Sequence, residues 1–498
     1  MTFNSYEFVL LFMPVFVAVY IFLRKIWRSK KNVRTLVNLW IILGSLCFYI
    51  SFGMSNLAIL LISICWNVCT SIPMSFMRDR NIKLTLFGKE RHIQNIWLCI
   101  GIIGNIILLL FFKLSGIFLP IAISFYTFNQ ISYIVNLNKG EIEKFEPLWY
   151  LSYILFFPKI LQGPIMEYTD YKNEINIACE KKLDYEVLLR ALLLFAFGLF
   201  KKVILADTFG AAVNYGYDNL VNLGSLEAVL TAVFYSFQLY FDFSGYCDMA
   251  AAISQIIGCK LPDNFNSPYQ AVNIVDFWKR WHITLTRFFT RYVYIPLGGN
   301  RKGDVRTYIN LMIIFLLSGF WHGTGWTFLV WGAMHGALYV VTRFYEKKHK
   351  GTDKENKAAG NALAKAAHCA KVFLTFAYVT AAWVFFRADK LTDAGLLFYR
   401  MVTGGKKALA TGFSSCFQLD ELWYAIKITP IMKFGFAWDV CLWFFLIVSC
   451  VMIFFCKNAI EYTKECKIGI KSTILTAFLI VWCVVSLGGV STFLYMNF

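Results

Sequence analysis

The chain has 498 residues, of which 58% are apolar, 18% aromatic and only 16% charged, and its mean hydropathy is +0.57. A soluble domain of this length needs more polar surface, so the composition excludes a soluble enzyme and favours a polytopic helical membrane protein. The net charge of +18 lies mostly in short basic loops, which indicates cytoplasmic loops and attraction to anionic lipid, not nucleic-acid binding.

The apolar runs predict an all-α membrane protein of one domain, 1–498, with eleven to thirteen transmembrane or re-entrant helices. The first run, 8–22, has no basic residue before it and no small-residue cleavage site after it, so we expect a retained helix. An outer-membrane barrel is excluded because short alternating strands are absent from the sequence. The predicted spans are 8–23, 36–53, 56–74, 94–112, 115–136, 147–164, 187–206, 226–258, 307–342, 372–387, 437–456 and 473–493.

Two of these spans are irregular. The run 226–258 is too long for one crossing and contains Phe241-Asp-Phe-Ser-Gly-Tyr246, so we expect two helices with a break there. Asp242 and Asp248 would then either cap that break or line a channel. The run 307–342 lies between two basic loops, so the chain should enter the membrane and return, turning near Gly323-Thr-Gly325.

The loops predict the orientation. Basic residues follow the first helix and precede the last one, which places both termini outside the cytoplasm. The loop 165–186 carries both signs of charge and does not settle its side. Residues 352–367 are polar and rich in small residues, which is typical of a mobile cytoplasmic loop.

The fourteen cysteines lie mostly singly in apolar segments, and none forms a Cys-x-x-Cys pair. This pattern indicates packing, and we expect no metal site. No internal repeat is visible, which weighs against a secondary transporter.

The segment 261–300 is too charged to cross lipid and too aromatic to be a free loop, so it should lie at the interface or re-enter the protein. It contains His282. Four cations in it interleave with aromatic residues: Lys279, Arg280, Arg287 and Arg291.

Among the six histidines, His322 and His335 lie in an apolar run rich in tryptophan and glycine. An ionisable side chain at membrane depth suggests function. Acyl transfer needs a base near neutral pH, a second polar group and, for a donor such as coenzyme A, a basic entrance. His322, His282 and the cationic segment could supply these. The alternative for His322 is a core histidine satisfied by a neighbouring helix, and His335 is more consistent with a supporting role. His92, His349 and His368 lie in basic loops, and we assign them no role.

The chain resembles the membrane-bound O-acyltransferases over about residues 110–400, in particular the branch of the bacterial alginate O-acetylation proteins. The matching stretches are Leu119–Tyr133, Phe156–Pro164, Gly198–Asp207, Tyr240–Ala250, Phe277–His282, Tyr294–Asn300, Trp321–Gly323, Trp331-Gly, His335-Gly and Trp383–Ala388.

The resemblance implies a helical bundle around a tunnel that meets at a catalytic histidine, His322. His282 is similar in place to a second functional polar residue, which is histidine in the bacterial polysaccharide and teichoic-acid branch. We expect the four cations of segment 261–300 to face the donor. Supporting or tunnel-lining roles are expected for His335, Asp242, Trp321 and Trp278.

The expected function is a multi-pass O-acetyltransferase of the cytoplasmic (inner) membrane. It would take acetyl from acetyl-CoA, without a bound cofactor, toward O-acetylation of a cell-surface polysaccharide, with a separate extracytoplasmic acetyltransferase as partner. Whether His322 acts as general base or carries the acyl group stays open. The alternatives are D-alanyl transfer to teichoic acid from a carrier protein and a transporter without chemistry.

Overall fold

The computed structural model describes residues 1–27, 32–86, 89–182, 184–349, 362–419, 436–489 and 493–494. The predicted helical architecture is confirmed, and the strands in the described residues are one antiparallel hairpin, β1 (Lys83–Leu86) with β2 (Lys89–His92). Seven described segments are long and apolar enough to cross a membrane: Glu7–Ile26, Val33–Ile50, Met54–Asp79, Gln94–Leu114, Ala364–Arg387, Ala437–Phe454 and Ile470–Gly488.

The first part of the chain forms helices that pack mostly with their sequence neighbours. A π-helical turn, Glu7–Phe12, leads into the first α-helix. These helices are α1 (Met13–Trp27), α2 (Val33–Ile50), α3 (Met54–Asp79), α4 (Ile93–Leu114), α5 (Ile123–Lys139), α6 (Pro147–Leu155), α7 (Phe157–Ile160) and α8 (Tyr168–Glu180). Two predicted spans are corrected here: 115–136 becomes helical only at Ile123, and 147–164 is divided at Phe156, whose ψ of 99° is not helical.

The middle of the chain holds the longest helix and the short helices of the segment 261–300. These helices are α9 (Tyr185–Leu199), α10 (Asp207–Asp218), α11 (Ser225–Ile257), α12 (Ile274–Arg280), α13 (Ile283–Phe289), α14 (Asp304–His322) and α15 (Trp326–Lys348). A π-helical stretch, Phe200–Ala206, joins α9 to α10. The buried aromatic residues of α12 show that this segment re-enters the protein, as one of the two predicted alternatives.

The last part of the chain contains α16 (Ala362–Arg387), α17 (Leu391–Thr403), α18 (Thr411–Ser414), α19 (Ala437–Phe454), α20 (Ala459–Glu465) and α21 (Ile470–Val485). Most of the predicted mobile loop, 352–361, lies outside the described residues, whereas 362–367 already belong to α16. Residues 490–492 of the last predicted span also lie outside them.

The predicted break in 226–258 is wrong, because α11 is one continuous helix of 33 residues, about 50 Å long. Its two aspartates are neutralised by the neighbouring π-helical stretch: Lys201 Nζ lies 2.6 Å from Asp248, and Lys202 Nζ lies 2.9 Å from Asp242. A buried charge that is paired in this way needs no helix end to stabilise it. Gly245 permits the close approach, since a Cβ there would lie 2.8 Å from the carbonyl oxygen of Gly198.

Basic helix ends meet on one side of the bundle, which we call the basic face. Arg24 of α1 donates to the carbonyl oxygens of Ala178 and Lys181, and Arg78 of α3 donates to that of Leu137 at 2.6 Å. The loop whose side the sequence left open, 165–186, therefore contacts the basic face. The positive-inside rule predicts that this face is cytoplasmic.

Candidate active site

His322 is the last residue of α14, directly before the turn into α15. The two helices form a close hairpin because glycines meet at their crossing. A Cβ on Gly319 would lie 2.4 Å from the carbonyl oxygen of Phe328, and one on Gly332 would lie 2.5 Å from that of Phe315. The predicted turn at 323–325 is confirmed, and the glycines near His322 serve this helix contact.

Aromatic rings surround the His322 imidazole. Its ring centroid lies 4.5 Å from that of Trp321, 4.9 Å from Phe386 and 5.3 Å from Trp331. Only 4% of His322 is exposed. Packing of this kind fixes the ring, and the low dielectric of the apolar surroundings strengthens any electrostatic interaction made there.

A cavity of about 780 Å³ reaches His322. The end of α4 and the turn between α14 and α15 line it, and α4 and α14 begin near the basic face, so the cavity lies on the opposite side. Lys113 and Arg387 line it together with Gln238. Lys113 donates to the carbonyl oxygen of Trp321, and Arg387 Nη2 donates to Asn214 Oδ1 at 3.1 Å. These lining residues were not among the residues predicted from the sequence, although Lys113 is a cation that ends an apolar run and Arg387 lies in a matched stretch.

A second cavity, of about 390 Å³, opens between α12, α13, α14 and α15. Ser318 lines it, and Ser318 precedes His322 by one helical turn, about 6 Å along α14. Lys279, Arg287 and Arg343 supply its cations. The two cavities therefore approach the same end of α14. The smaller cavity is lined by cations of the basic face, and the larger cavity lies on the opposite side.

His282 is held in a single orientation. Asn264 Oδ1 accepts from the Thr284 backbone N–H at 3.2 Å, so this atom is an oxygen, and His282 Nδ1, at 3.1 Å, must be the donor. The neutral ring then carries its proton on Nδ1 and a lone pair on Nε2, which makes no hydrogen bond to the described residues. Both His282 and Asn264 are 1% exposed.

The backbone at His282 is unusual. Its φ of 44° lies in the left-handed region, where a non-glycine residue costs about 1–3 kcal/mol. The Trp321 ring stands next to both histidines, 6.4 Å from His282 and 4.5 Å from His322. The fold thus places two histidines that are forty residues apart in the sequence on the same tryptophan ring.

His335 and Trp278 form a supporting pair. Trp278 Nε1, which can only donate, lies 3.3 Å from His335 Nδ1, so the neutral ring carries its proton on Nε2. Trp278 lines the cavity on the basic side, and His335 is fully buried behind it. This arrangement is compatible with the supporting role that the sequence suggested for His335.

The four cations of the segment 261–300 differ in whether they line a cavity. Lys279 and Arg287 line the cavity on the basic side, whereas Arg280 pairs with Asp276 at 2.9 Å and Arg291 pairs with Glu141, outside that lining.

Asp242 lines neither of the two cavities near His322. It is closed in by Lys202 and accepts from the Leu494 backbone N–H at 3.1 Å, which is compatible with the supporting role, the other of the two roles expected for it.

Comparisons with known proteins identify the family. The model of MBOAT, the membrane-bound O-acyltransferase family, matches residues 135–378, which include all three buried histidines. A peptidoglycan O-acetyltransferase of Helicobacter pylori is 35% identical over 435 residues, 79% of this chain and 78% of the relative. The chain belongs to the membrane-bound O-acyltransferase family. It is therefore an acyltransferase and a multi-pass membrane protein.

Two further relatives of this O-acyltransferase carry names for the transfer of different groups. A probable alginate O-acetylase of Pseudomonas fluorescens is 32% identical and covers 82% of the chain and 77% of its own length. A teichoic acid D-alanyltransferase of Bacillus subtilis is also 32% identical, but the match covers only 46% of the chain and 60% of the relative.

Proposed function

We propose that this enzyme transfers acetyl from acetyl-CoA, on the cytoplasmic side of the cell (inner) membrane, toward O-acetylation of a cell-surface polysaccharide. The observation that supports the proposal most is the position of His322. It lines the cavity opposite the basic face, while Ser318, one turn away, lines the cavity with the cationic rim. A phosphate-bearing thioester fits the cavity with the cationic rim, and a hydroxyl acceptor fits the polar cavity that His322 lines.

Two chemical routes use the same residues. As a general base, His322 takes the proton of the acceptor hydroxyl while that oxygen attacks the thioester carbonyl carbon. The C–S bond then breaks, and the thiolate leaves with the proton from the imidazolium. Alternatively, the imidazole attacks first, releases coenzyme A and passes the acetyl group to the hydroxyl in a second step. His282 Nε2 would accept a hydrogen bond that positions the acceptor or a water.

The similarity to acetyl-transferring relatives supports acetyl over D-alanyl as the group transferred. Relatives named for O-acetylation of peptidoglycan or alginate match about four fifths of the chain, whereas those named for D-alanyl transfer match about half. A separate extracytoplasmic partner that completes transfer to the sugar belongs to the same proposal, and the cavity opposite the basic face is where it would receive the group.

The test has two parts. Thiol release from acetyl-CoA is measured with purified protein in lipid nanodiscs, and alkali-labile acetate is measured on the surface polysaccharide of producing cells. We expect both signals from the wild type and neither from His322→Ala. The replacement His349→Ala is a matched control, because His349 is half-buried at the end of α15 and lines neither cavity near His322.

Three outcomes separate the alternatives. Turnover of an aminoacyl carrier protein, with acetyl-CoA ignored, would establish the D-alanyl function instead. Movement of a solute without thiol release would identify a transporter. Radiolabelled acetyl that stays on the wild-type protein without acceptor, but not on His322→Ala, would choose the acyl-histidine route over general-base catalysis.

A further inference from the structure

A third cavity, of about 870 Å³, lies on the basic face, away from the histidines. It is formed where the end of α1, the end of α8, the start of α9 and the end of α11 meet. Five cationic side chains line it: Arg24, Lys181, Lys182, Lys260 and Lys464. It shares no lining residue with either cavity near His322.

The cavity has a positive charge that its own carboxylates do not balance. Two carboxylates line it, and both are engaged by backbone N–H groups: Glu174 accepts from Lys260 at 3.1 Å, and Asp184 accepts from Glu186 at 2.9 Å. Among the described residues, Lys464 is the one cation of the five with a carboxylate within 4.0 Å, Asp263 at 3.8 Å. Like charges gathered in this way repel one another, and a bound anion would relieve the repulsion.

Arg24 makes the strongest case for a bound anion because it is only 7% exposed. Its Nη2 donates to the carbonyl oxygens of Ala178 and Lys181, which fixes the guanidinium in place. Carbonyl groups are neutral, so they satisfy hydrogen-bond donors without cancelling the charge. Buried charges in proteins are normally paired, and the guanidinium fork matches the oxygens of a phosphate.

Apolar side chains continue from the cavity toward the outer surface of the bundle. Ile177 of α8 is 43% exposed and Val187 of α9 is 42% exposed, and both line the cavity beside Leu188. A soluble phosphate compound would gain nothing from this surface. A lipid acyl chain would cover it while its headgroup meets the cations.

We infer that this cavity binds the phosphodiester headgroup of an anionic phospholipid from the cytoplasmic leaflet, with an acyl chain along Ile177 and Val187. Arg24 and the lysines would contact the phosphate oxygens. Basic pockets between transmembrane helices on the cytoplasmic side recognise such headgroups. The bound lipid would join α1, α8, α9 and α11 at their ends. The inference does not depend on the proposed acetyl donor, because the active-site cavities are separate.

The experiment compares lipid retention. Protein in detergent is equilibrated with equal phosphatidylglycerol and phosphatidylcholine, and native mass spectrometry measures the bound lipid. The wild type should retain phosphatidylglycerol, and Lys181→Gln/Lys182→Gln/Lys260→Gln should retain at least tenfold less. The control Arg301→Gln/Lys302→Gln removes exposed cations of the same chain outside the cavity and should behave as wild type. Equal retention by the triple variant, or equal retention of both lipids, would overturn the inference.

A second measurement leaves the protein unaltered, in case the triple variant folds poorly. Phosphatidylglycerol should raise the unfolding temperature of wild-type protein in a saturable way, while phosphatidylcholine should not. An excess of inorganic phosphate tests whether the site binds a lipid headgroup or a free phosphate ion. If phosphate alone reproduced the stabilisation, the site would recognise a soluble anion, and the lipid assignment would be wrong.

Discussion

Two regions of this membrane-bound O-acyltransferase bury ionisable side chains, and the structure treats them differently. In the pair formed by α11 and the π-helical stretch 200–206, Lys201 and Lys202 each face an aspartate at 2.6–2.9 Å. In the hairpin of α14 and α15, His322 faces aromatic rings and lines a cavity of about 780 Å³. In this protein, a buried ionisable group that lines a cavity is accessible to a substrate or ligand, whereas one that an opposite charge closes in has a structural role.

The largest effect should come from the hairpin. We expect His322→Ala to reduce acetyl transfer by about 10²–10⁴-fold, the usual contribution of a general acid or base. Initial rates with saturating donor check this, normalised to folded protein. Activity within a few-fold of wild type would place His322 on the architectural side of the comparison.

The ion pair should affect stability and leave chemistry intact. Lys201→Met leaves Asp248 buried without its partner, which should lower the free energy of unfolding by about 3–5 kcal/mol. The double variant Lys201→Met/Asp248→Leu removes both charges and should recover most of that loss in thermal unfolding. If the folded double variant lost catalysis, these charges would take part in the reaction after all.

The orientation of His282 should depend on Asn264. Asn264→Ala removes the acceptor of the Nδ1 proton, and a lost buried hydrogen bond of about 1–3 kcal/mol should appear mainly in kcat. Asn264→Asp keeps an acceptor and adds a negative charge that stabilises the protonated imidazole. It should therefore restore part of the rate and move the acid limb of the pH–rate profile to higher pH. An unchanged profile in the aspartate variant would limit Asn264 to a packing role.

The glycine contact of the hairpin can be tested against a glycine with free space. Gly332→Ala places a Cβ 2.5 Å from the Phe315 carbonyl oxygen, so α14 and α15 must separate, at about 1–3 kcal/mol of stability. Gly395→Ala in α17 has no neighbour within 4 Å and should be neutral or slightly stabilising. Equal melting temperatures for the two variants would show that the close approach is unimportant.

The smallest effect should come from the cations of the basic side. Lys279→Gln and Arg287→Gln should each raise the KM for acetyl-CoA several-fold, an effect of about 1 kcal/mol that weakens with salt. Arg280→Gln and Arg291→Gln should change KM less, because their partners are Asp276 and Glu141. The reverse order would move the donor entrance away from this cavity.

The sequence predicted those features that depend on local pattern. The turn at 323–325 follows from an apolar run between two basic loops, and the re-entrant segment follows from charges interleaved with aromatic residues. The sequence did not predict features that depend on a contact with a residue far away in the chain. Phe241-Asp-Phe-Ser-Gly-Tyr246 looks like a helix break only while Lys202, forty residues earlier, is not known to lie beside Asp242.

Composition and the order of apolar and basic segments thus determined the membrane class and the helical architecture, because these properties depend on neighbouring residues. The choice of His322 and His282 rested on the resemblance to the family motifs as well. The tertiary structure alone decided which ionisable groups are closed into pairs and which line a cavity. Only it shows that Asn264 orients His282, that Lys113 and Arg387 line the cavity at His322, and that four cations gather around Arg24. Pairing and access depend on contacts between distant segments, and hydrophobic periodicity carries no information about those contacts.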